Sequence, residues 1–241
     1  MPAVRAAAAA VAFLTRIPIP APFTAADVAR GAVFFPLVGA GLGAAVGAAA
    51  DALAAPLSAP LASVIAVALG TALTGALHLD GLADTADALG AATREHALEI
   101  MRDHRVGAYG AIALVLGIAA KIAAVTVLAG RGDALRLVTC AIAVSRVVPV
   151  ALGAALPYAR PSGTGRFLAG VGGRHATVAA ALGIAVCLLL HAPLLLVVPA
   201  VAFVLCGITL RRWLGGVTGD ALGASAELTE VAALVVAVAL T

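Results

Sequence analysis

Apolar residues dominate seven long stretches of the chain, and short polar or glycine-rich segments separate them. A helix needs about 20 apolar residues to cross the hydrocarbon of a bilayer, and each stretch approaches this length. The fifth and sixth are shorter and meet at His191-Ala192-Pro193, so they form either a tight helical hairpin or a re-entrant pair. The pattern predicts about seven membrane-spanning helices, at residues 31–50, 57–77, 108–129, 137–156, 176–190, 194–210 and 225–240.

A shorter apolar stretch precedes the first of these spans. It runs from Val4 to Leu14 and ends at the segment Thr15-Arg16-Ile17-Pro18. A stretch of this length is too short to cross a bilayer as a helix. We therefore predict an interfacial or half-inserted helix at this position.

The composition agrees with a membrane protein. Hydrophobic residues make up 63% of the 241 residues and charged residues only 11%, and the mean hydropathy is +1.13. Soluble domains carry about 25% charged residues, and a chain this apolar does not stay disordered in water. Three cysteines are too few for a disulfide scaffold. The composition predicts an all-α, polytopic transmembrane helical bundle, a single integral domain over residues 1–241 surrounded by the lipid bilayer, with short cytoplasmic loops that carry the site.

The arginines indicate how the bundle is oriented. If seven spans alternate, only Arg131 and Arg136 fall on one side, and the opposite side is rich in arginine. Cytoplasmic loops carry an excess of basic residues, so the arginine-rich side is predicted to face the cytoplasm. The net charge of +3 does not indicate nucleic acid, because the basic residues are dispersed and aromatic residues make up only 4% of the chain. The arginine-rich side holds Arg5, Arg16, Arg30, Arg94, Arg102, Arg105, Arg160, Arg166, Arg174, Arg211 and Arg212.

Small residues are frequent in the spans, and one group of them is regularly spaced. Gly39, Gly43 and Gly47 follow one another at intervals of four in the first span. Such spacing places the glycines on one side of a helix and lets a second backbone approach closely. We expect them to serve helix packing.

Most of the carboxylates fall in two segments that face the same side on this topology. In the first, the second cytoplasmic loop, Asp80, Asp84 and Asp87 are separated by four and three residues, so on a helix they share one face. A divalent cation would relieve the repulsion among them, and ligands that are all oxygen favour Mg²⁺, with Mn²⁺ second. The alternative is a solvated acidic loop, which the interspersed Leu79 and Leu82 disfavour.

The end of the same loop combines acidic and basic side chains. Arg102, Asp103 and Arg105 precede the glycines that lead into the third span. A guanidinium group matches the oxygens of phosphate, so this segment favours phosphate recognition beside a metal. The alternative for the two arginines is anchoring at the cytoplasmic surface.

Polar residues also mark the beginning of the seventh span. Thr218, Gly219 and Asp220 follow a glycine-rich turn, and such a segment ahead of a helix can present backbone N–H groups to an anion. Glu227 and Glu230 then enter the apolar span. This segment is the second group of acidic residues, and we expect it to join the first.

Two basic residues lie inside predicted spans. Lys121 falls in the third span, and Arg146 follows Ser145 near the middle of the fourth. Ionisable residues within a membrane are candidates for function. Each either binds an anionic group, neutralises the acidic centre or forms a structural ion pair. The basic loop from Arg160 to Arg174 has two equally open interpretations. Its charges either capture the substrate or set the membrane topology.

These features together fit an enzyme that transfers a phosphoryl or phosphoalcohol group. Such chemistry mostly needs charge neutralisation and positioning. A metal that bridges a diphosphate would activate the leaving nucleotide, arginines would hold phosphate oxygens, and a hydroxyl acceptor would attack in line. The residue types and their spacing do not name the substrate.

Several motifs resemble those of the cobalamin synthase family, the adenosylcobinamide-GDP ribazoletransferases. The resemblance extends along almost the whole chain, and the order of the motifs is highly specific. Its strongest part is His78-Leu79-Asp80-Gly81-Leu82-Ala83-Asp84-Thr85 with Asp87. The other parts are Phe13 to Pro18, Phe35 to Gly39, Glu99 to Asp103, Ser145-Arg146, Thr218-Gly219-Asp220 and Leu222-Gly223-Ala224.

This resemblance implies a Mg²⁺-dependent, multi-pass enzyme of the bacterial cytoplasmic (inner) membrane with its active site facing the cytoplasm. A hydroxyl of α-ribazole, or of α-ribazole 5′-phosphate, would attack the phosphate borne by cobinamide in adenosylcobinamide-GDP. GMP would leave, and adenosylcobalamin or its 5′-phosphate would form in the last assembly step of the cobalamin nucleotide loop. A homo-oligomer remains open.

The resemblance also assigns roles to residues. Asp80, Asp84 and Asp103 are the first candidates for metal ligands, followed by Asp87 and Asp220. Catalysis is assigned to Asp80, Asp84, Asp103 and Arg102. Substrate binding is assigned to Arg105, Lys121, Ser145, Arg146, Thr218 and Gly219.

Two other classes of protein remain as alternatives. CDP-alcohol phosphotransferases also gather aspartates at the cytosolic membrane surface, but their Asp-Gly pair is followed by Ala-Arg, whereas Asp80-Gly81 is followed by Ala83-Asp84. A cation-coupled transporter would use Asp84, Lys121 and Arg146 as a charged path. Transporters usually contain inverted repeats, and none is evident in this sequence.

Overall fold

The computed structural model describes residues 2–103, 105–160 and 164–241. Apart from one isolated bridge between Tyr158 and Val217, the regular structure in these ranges is helical. Short 3₁₀ segments lie at Ala32–Phe34, Thr164–Gly170 and Pro193–Leu196. The α-helices are α1 (Pro2–Leu14), α2 (Ala25–Gly31), α3 (Phe35–Leu57), α4 (Ala59–Thr74), α5 (Leu77–Ala88), α6 (Arg94–Ile100), α7 (Ala108–Gly130), α8 (Ala134–Ser145), α9 (Val147–Ala155), α10 (Gly173–Leu189), α11 (Val197–Trp213) and α12 (Gly219–Ala239).

Five helical segments of the described chain are long and apolar enough to cross a membrane. They correspond to the first, third, fourth, sixth and seventh predicted spans. The fifth predicted span lies in α10, which has only 17 residues. The second, residues 57–77, coincides with α4, which passes the same test only as a pair with α5. The structure therefore supports five spans, or six with this pair, and the predicted number of about seven is not confirmed. The five are Ala25–Leu57, Ala108–Gly130, Ala134–Ala155, Pro193–Trp213 and Gly219–Ala239.

The second predicted span is interrupted at Gly75 and Ala76. Both residues have positive φ, 61° and 59°, and the axes of α4 and α5 differ by 89°. The N–H groups of Gly75 and Ala76 donate to carbonyls of the last turn of α4, which ends that helix. Beyond the break, the chain becomes helical again at Leu77.

The break corrects one expectation about the site. Asp80, Asp84 and Asp87 were expected in a cytoplasmic loop, but they lie on α5. The cause is apolar patterning, because Leu79, Leu82 and other apolar residues of this segment are buried against neighbouring helices. The acidic group is therefore held by a helix of the bundle rather than by a loop.

The glycines of the first span pack α3 against α8, as their spacing predicted. A Cβ atom at Gly39, Gly43 or Gly47 would lie 2.5 to 2.8 Å from a carbonyl oxygen of the facing helix. No side chain fits at such a separation, so only glycine permits this contact.

The two ends of the bundle differ in their arginines. At one end, Arg131 donates to the carbonyl oxygen of Val238, and Arg136 donates to that of His191. At the other end, Arg94 Nε donates to the carbonyl oxygen of Leu214 at 2.7 Å. We call the second end the arginine-rich end, because the segments that hold the other loop arginines begin or finish there.

Four charged side chains, Lys121, Arg146, Glu227 and Glu230, meet inside the bundle, and we call them the charge quartet. Lys121 Nζ pairs with Glu227 Oε1 and lies 2.7 Å from Glu230 Oε1. Arg146 Nη2 donates to Glu230 Oε2 at 2.9 Å. All four side chains are at most 11% exposed. Two positive and two negative charges thus neutralise one another where solvent cannot.

We expect Glu230→Gln to destabilise the protein strongly. The substitution removes one negative charge and leaves buried positive charge uncompensated, a situation that costs about 3–5 kcal/mol in buried ion pairs. The free energy of unfolding in detergent micelles measures the effect.

Asp133→Asn is the matched control. Asp133 pairs with Arg136 in a partly exposed i,i+3 ion pair, so its loss should cost about 1 kcal/mol or less. Equal losses of stability in the two variants would show that the quartet does not stabilise the bundle.

Candidate functional site

Acidic residues of two helices meet where α5 crosses the beginning of α12. The contact is made by glycines: a Cβ atom at Gly81 would lie 2.7 Å from the carbonyl oxygen of Asp220, and one at Gly223 would lie 3.6 Å from His78 Cα. The backbone of Asp220 therefore lies directly against α5, next to Asp80. This crossing brings together the first and second acidic groups of the sequence.

The Asp84 carboxylate lies within electrostatic range of Asp80, Asp87 and Asp220 and of the Arg160 guanidinium. Asp80 is exposed, and Asp84 and Asp220 are partly buried. We call Asp80, Asp84, Asp220 and Arg160 the carboxylate site. Three negative charges and one positive charge make its net charge negative, in contrast to the neutral quartet.

The local sequence fixes Asp220 at the start of α12. Thr218 is fully buried, and its Oγ1 accepts the N–H of Ala221 at 3.1 Å, so it caps the helix. Asp220 then falls in the first turn, where the helix dipole stabilises a negative charge. Gly219, next to it, packs against Gly165: a Cβ atom at Gly165 would lie 2.6 Å from Gly219 Cα.

Arg160 reaches the same place from the segment after α9. The N–H of Val217 donates to the carbonyl oxygen of Pro157 at 2.9 Å, and the N–H of Ala159 donates to that of Val217 at 2.8 Å. This pairing sets Arg160 beside α12, where its Nη1 lies 2.8 Å from Asp220 Oδ2. Only 7% of the Arg160 side chain is exposed.

Two nitrogens of this guanidinium lack a hydrogen-bond partner. Nε and Nη2 of Arg160 are buried and unpaired within the part of the chain that the structure describes. The hydroxyl group of Tyr158 is also buried, beside the backbone of Gly165 and Gly219, and burial raises the pKa of this phenol, an effect that the positive charge of Arg160 partly opposes. Each unsatisfied buried group costs about 1–3 kcal/mol, and a charged one costs more. Such groups are expected where a ligand supplies the missing partners.

Asp87 has a position of its own at the other end of α5. Its Oδ2 accepts the N–H of Gly107 at 2.7 Å, and its Oδ1 accepts that of Gly110 at 2.8 Å. The carboxylate therefore caps the first turn of α7. Its assignment as a metal ligand stays a prediction.

The other residues assigned from the resemblance lie apart. Arg102 and Asp103 are exposed in the turn after α6, and Arg105 Nη2 donates to Asp103 Oδ2 at 2.8 Å. Lys121 and Arg146 belong to the quartet, and Ser145 Oγ accepts a hydrogen bond from Arg146 Nη1 at 2.9 Å. For Lys121 and Arg146, the structure shows the ion pairs that the sequence had left as an alternative, and it does not test substrate binding.

A cavity joins the carboxylate site to an aromatic cluster. Phe13, Phe35 and Phe167, with ring centroids 4.5 to 6.4 Å apart, line it together with Asp80 and Asp220. We call it the aromatic cavity. Its lining thus combines aromatic rings with carboxylates.

The donor atoms around the site suit a hard cation. Within the described ranges, no three His, Cys, Asp or Glu side chains are arranged to hold a metal ion by themselves. Mg²⁺ does not require such a set, because proteins usually bind it through one or two carboxylates and leave the remaining positions to water and substrate phosphates. Asp80, Asp84 and Asp220 offer carboxylate oxygens beside the crossing of α5 and α12. One or two of these carboxylates therefore fit a Mg²⁺ ion whose coordination water and a phosphate complete.

Sequence reasoning did not single out Arg160, Tyr158 or the phenylalanines as a site. Arg160 was only the first residue of a basic loop, and Pro161, Ser162 and Gly163 of that loop lie outside the described residues. The charge of Arg160 was the available signal, but the bridge that aims it at Asp220 joins residues far apart in the sequence.

Residues 6–238 match the family described as cobalamin-5-phosphate synthase. Proteins named adenosylcobinamide-GDP ribazoletransferase are similar over most of their length. The one from Shigella boydii serotype 4 is 40% identical over 234 residues, which are 92% of this chain and 95% of that protein. Those from Shigella flexneri and Citrobacter koseri are 41% and 40% identical over equal shares. No solved structure matches. The matched range includes α5, Arg160 and the beginning of α12.

We expect Gly81→Ala to force α5 and α12 apart and to destabilise the protein by about 1–3 kcal/mol, the usual cost of overpacking. The atom that the new Cβ meets belongs to the backbone of Asp220, which cannot rotate away. Thermal unfolding in detergent measures the change. Gly41→Ala is the control, since a Cβ there meets no heavy atom within 4 Å, and it should be neutral or stabilising. Wild-type stability of Gly81→Ala would contradict the tight crossing.

Proposed function

We infer that this chain, which belongs to the cobalamin-5-phosphate synthase family, is an adenosylcobinamide-GDP ribazoletransferase like its named relatives. It joins adenosylcobinamide-GDP with α-ribazole, or with α-ribazole 5′-phosphate, and releases GMP. This is the final step in the assembly of cobalamin. Family membership favours this activity over that of a CDP-alcohol phosphotransferase or a cation-coupled transporter.

One observation supports the proposal above all, the crossing that sets Asp80 and Asp84 beside Asp220. The reaction displaces GMP from a diphosphate, so negative charge accumulates on phosphate oxygens in the transition state. A site with excess carboxylates is suited to this chemistry when it binds a divalent cation, because the cation neutralises both sets of oxygens.

Asp84, together with Asp80 or Asp220, is proposed to hold Mg²⁺. Bound there, the ion would supply charge neutralisation for the diphosphate and make GMP a better leaving group. Asp87 lies at the end of the same helix, where it fixes α5 relative to α7 through its hydrogen bonds to Gly107 and Gly110. Asp103 is proposed as a further ligand from the resemblance alone.

The reaction needs one bond to form and one to break. The hydroxyl oxygen of α-ribazole bonds to the phosphorus that cobinamide carries, and the bond from this phosphorus to the oxygen of the GMP phosphate breaks. The hydroxyl proton passes to a carboxylate of the site or to water. We propose that the aromatic cavity receives the acceptor, with its flat base beside Phe13 and Phe167 and its ribose toward Asp80 and Asp220.

We propose that the site faces the cytoplasm in the bacterial inner membrane. The arginine-rich end of the bundle is the end at which α5 and α12 cross, and a bias of basic residues marks cytoplasmic loops. The nucleotide substrate carries a charged diphosphate, which does not cross a bilayer unaided. A site that faces the cytoplasm is therefore accessible to a cytosolic nucleotide substrate.

Asp84→Asn tests the proposed metal site. The substitution keeps the shape of the side chain and removes its charge, so we expect GMP release to fall at least about 100-fold, or by about 2.7 kcal/mol of transition-state stabilisation. We also expect half-maximal activity to require more Mg²⁺, and EDTA to abolish activity in the wild type. Release of labelled GMP from adenosylcobinamide-GDP with α-ribazole is the assay.

Glu95→Gln is the control for this substitution. Glu95 is an exposed carboxylate on α6 at the same end of the bundle, and its variant should keep the wild-type rate and Mg²⁺ requirement. If Asp84→Asn turned over at the wild-type rate with an unchanged Mg²⁺ requirement, the metal site would have to be placed elsewhere.

A further inference from the structure

We propose that Arg160 binds the diphosphate of the nucleotide donor through the Nε and Nη2 edge of its guanidinium group. The sequence left substrate capture and a topology signal equally open for the loop that begins at Arg160, and it did not single out this residue. The identity of the donor rests on the proposed function, whereas the anion-binding edge rests on the geometry around Arg160.

The orientation of the guanidinium carries the proposal. Nη1 pairs with Asp220, and Nε and Nη2 are left without a hydrogen-bond partner among the described residues. These two nitrogens form one edge of the planar group, and their N–H bonds point to the same side. This is the edge that donates two parallel hydrogen bonds to the oxygens of a phosphate.

A purely structural role does not account for this arrangement. A single ion pair with Asp220 needs one donor, which a lysine would also supply, and it leaves the remaining edge buried and unsatisfied. The folded protein therefore carries the free-energy cost of two buried, unpaired N–H donors, and binding of an anion would remove it. Because the edge is shielded from water in this structure, substrate entry must displace what covers it, and the resulting bonds then form in a medium of low dielectric constant.

Neighbouring groups favour the same ligand. The hydroxyl group of Tyr158 is also buried, and it lies near Gly165, whose Cβ position would be 3.4 Å from it. Gly165 packs against Gly219, the first residue of α12. The beginning of this helix supplies a favourable dipole for an anion. Arg160, Tyr158 and the beginning of α12 thus lie close together beside Asp220.

The comparison with Arg146 separates a structural arginine from a binding one. Arg146 is also buried, but its Nη1 donates to Ser145 and its Nη2 to Glu230, so only Nε lacks a partner. It has no free edge for bidentate binding. In the described part of the chain, the open edge of Arg160 lies beside the carboxylates of α5 and α12.

Binding of GDP and of guanosine to the purified full-length protein in detergent tests the proposal. GDP serves as a probe that carries the diphosphate, and guanosine lacks it, so the ratio of the two affinities isolates the contribution of the phosphates. We expect Arg160→Gln to weaken GDP binding at least tenfold and to leave guanosine binding unchanged. Arg160→Lys keeps the positive charge but loses the two parallel N–H donors, so it should weaken GDP binding by a smaller factor.

Arg212→Gln is the matched control, because Arg212 is exposed in the last turn of α11 at the same end of the bundle and its variant should bind GDP like the wild type. In the transferase assay, Arg160→Lys should raise the KM for adenosylcobinamide-GDP and leave the KM for α-ribazole unchanged. If Arg160→Gln does not fold, Arg160→Lys, which retains the ion pair with Asp220, carries the test. Wild-type affinity of both Arg160 variants for GDP would overturn the proposal.

The binding assay is independent of turnover. A wild-type protein that binds GDP through Arg160 but releases no GMP from adenosylcobinamide-GDP would contradict the proposed function and leave the anion site intact. A protein that turns over normally, with GDP binding indifferent to Arg160, would contradict only the anion site.

Discussion

Charge balance in a medium that solvates ions poorly is the constraint on which this structure depends. Charged side chains within a bundle are costly unless opposite charges lie beside them. The quartet meets this condition internally, with Lys121 and Arg146 opposite Glu227 and Glu230. The carboxylate site does not, because Arg160 is the cation that the structure sets against three aspartates. The first arrangement is complete and supports the fold, whereas the second needs added positive charge and is therefore suited to a metal and its substrate.

Close contact between helix backbones is the second requirement that the membrane places on this structure. Bundle helices pack without help from the hydrophobic effect when lipid surrounds them, so close van der Waals contact has to hold them together. Glycines on α3 provide that contact with α8, and Gly81 and Gly223 provide it between α5 and α12. In the second case, the contact also brings Asp80 and Asp220 close to each other. The same small residues that stabilise the bundle thus concentrate its negative charge.

Much of this arrangement follows from local patterns in the sequence. The long apolar stretches predicted five of the spans, and the spacing of the glycines predicted the packing of α3. Asp80, Asp84 and Asp87 were placed in a loop, but their spacing indicated that they would share a face if the segment were helical, as it is. The break at Gly75 and Ala76 was not predicted, since Ala76 adopts a positive φ that alanine rarely takes and that only tertiary packing explains. Arg160 was missed for a related reason. Its position depends on a bridge between distant residues, and no local pattern encodes that.

Helix α12 connects the two charged groups. Asp220 precedes Glu227 by seven residues and Glu230 by ten, so at 3.6 residues per turn the three carboxylates lie within one side of the helix. At a rise of 1.5 Å per residue, the quartet lies about 10–15 Å along the helix from the site. Ion pairs with Lys121 on α7 and Arg146 at the end of α8 fix the rotation of α12 about its axis. Because a helix rotates as a unit, the same pairs fix the direction in which Asp220 faces α5. The buried quartet therefore does more than neutralise charge. It also orients Asp220, the residue of the carboxylate site that pairs with Arg160.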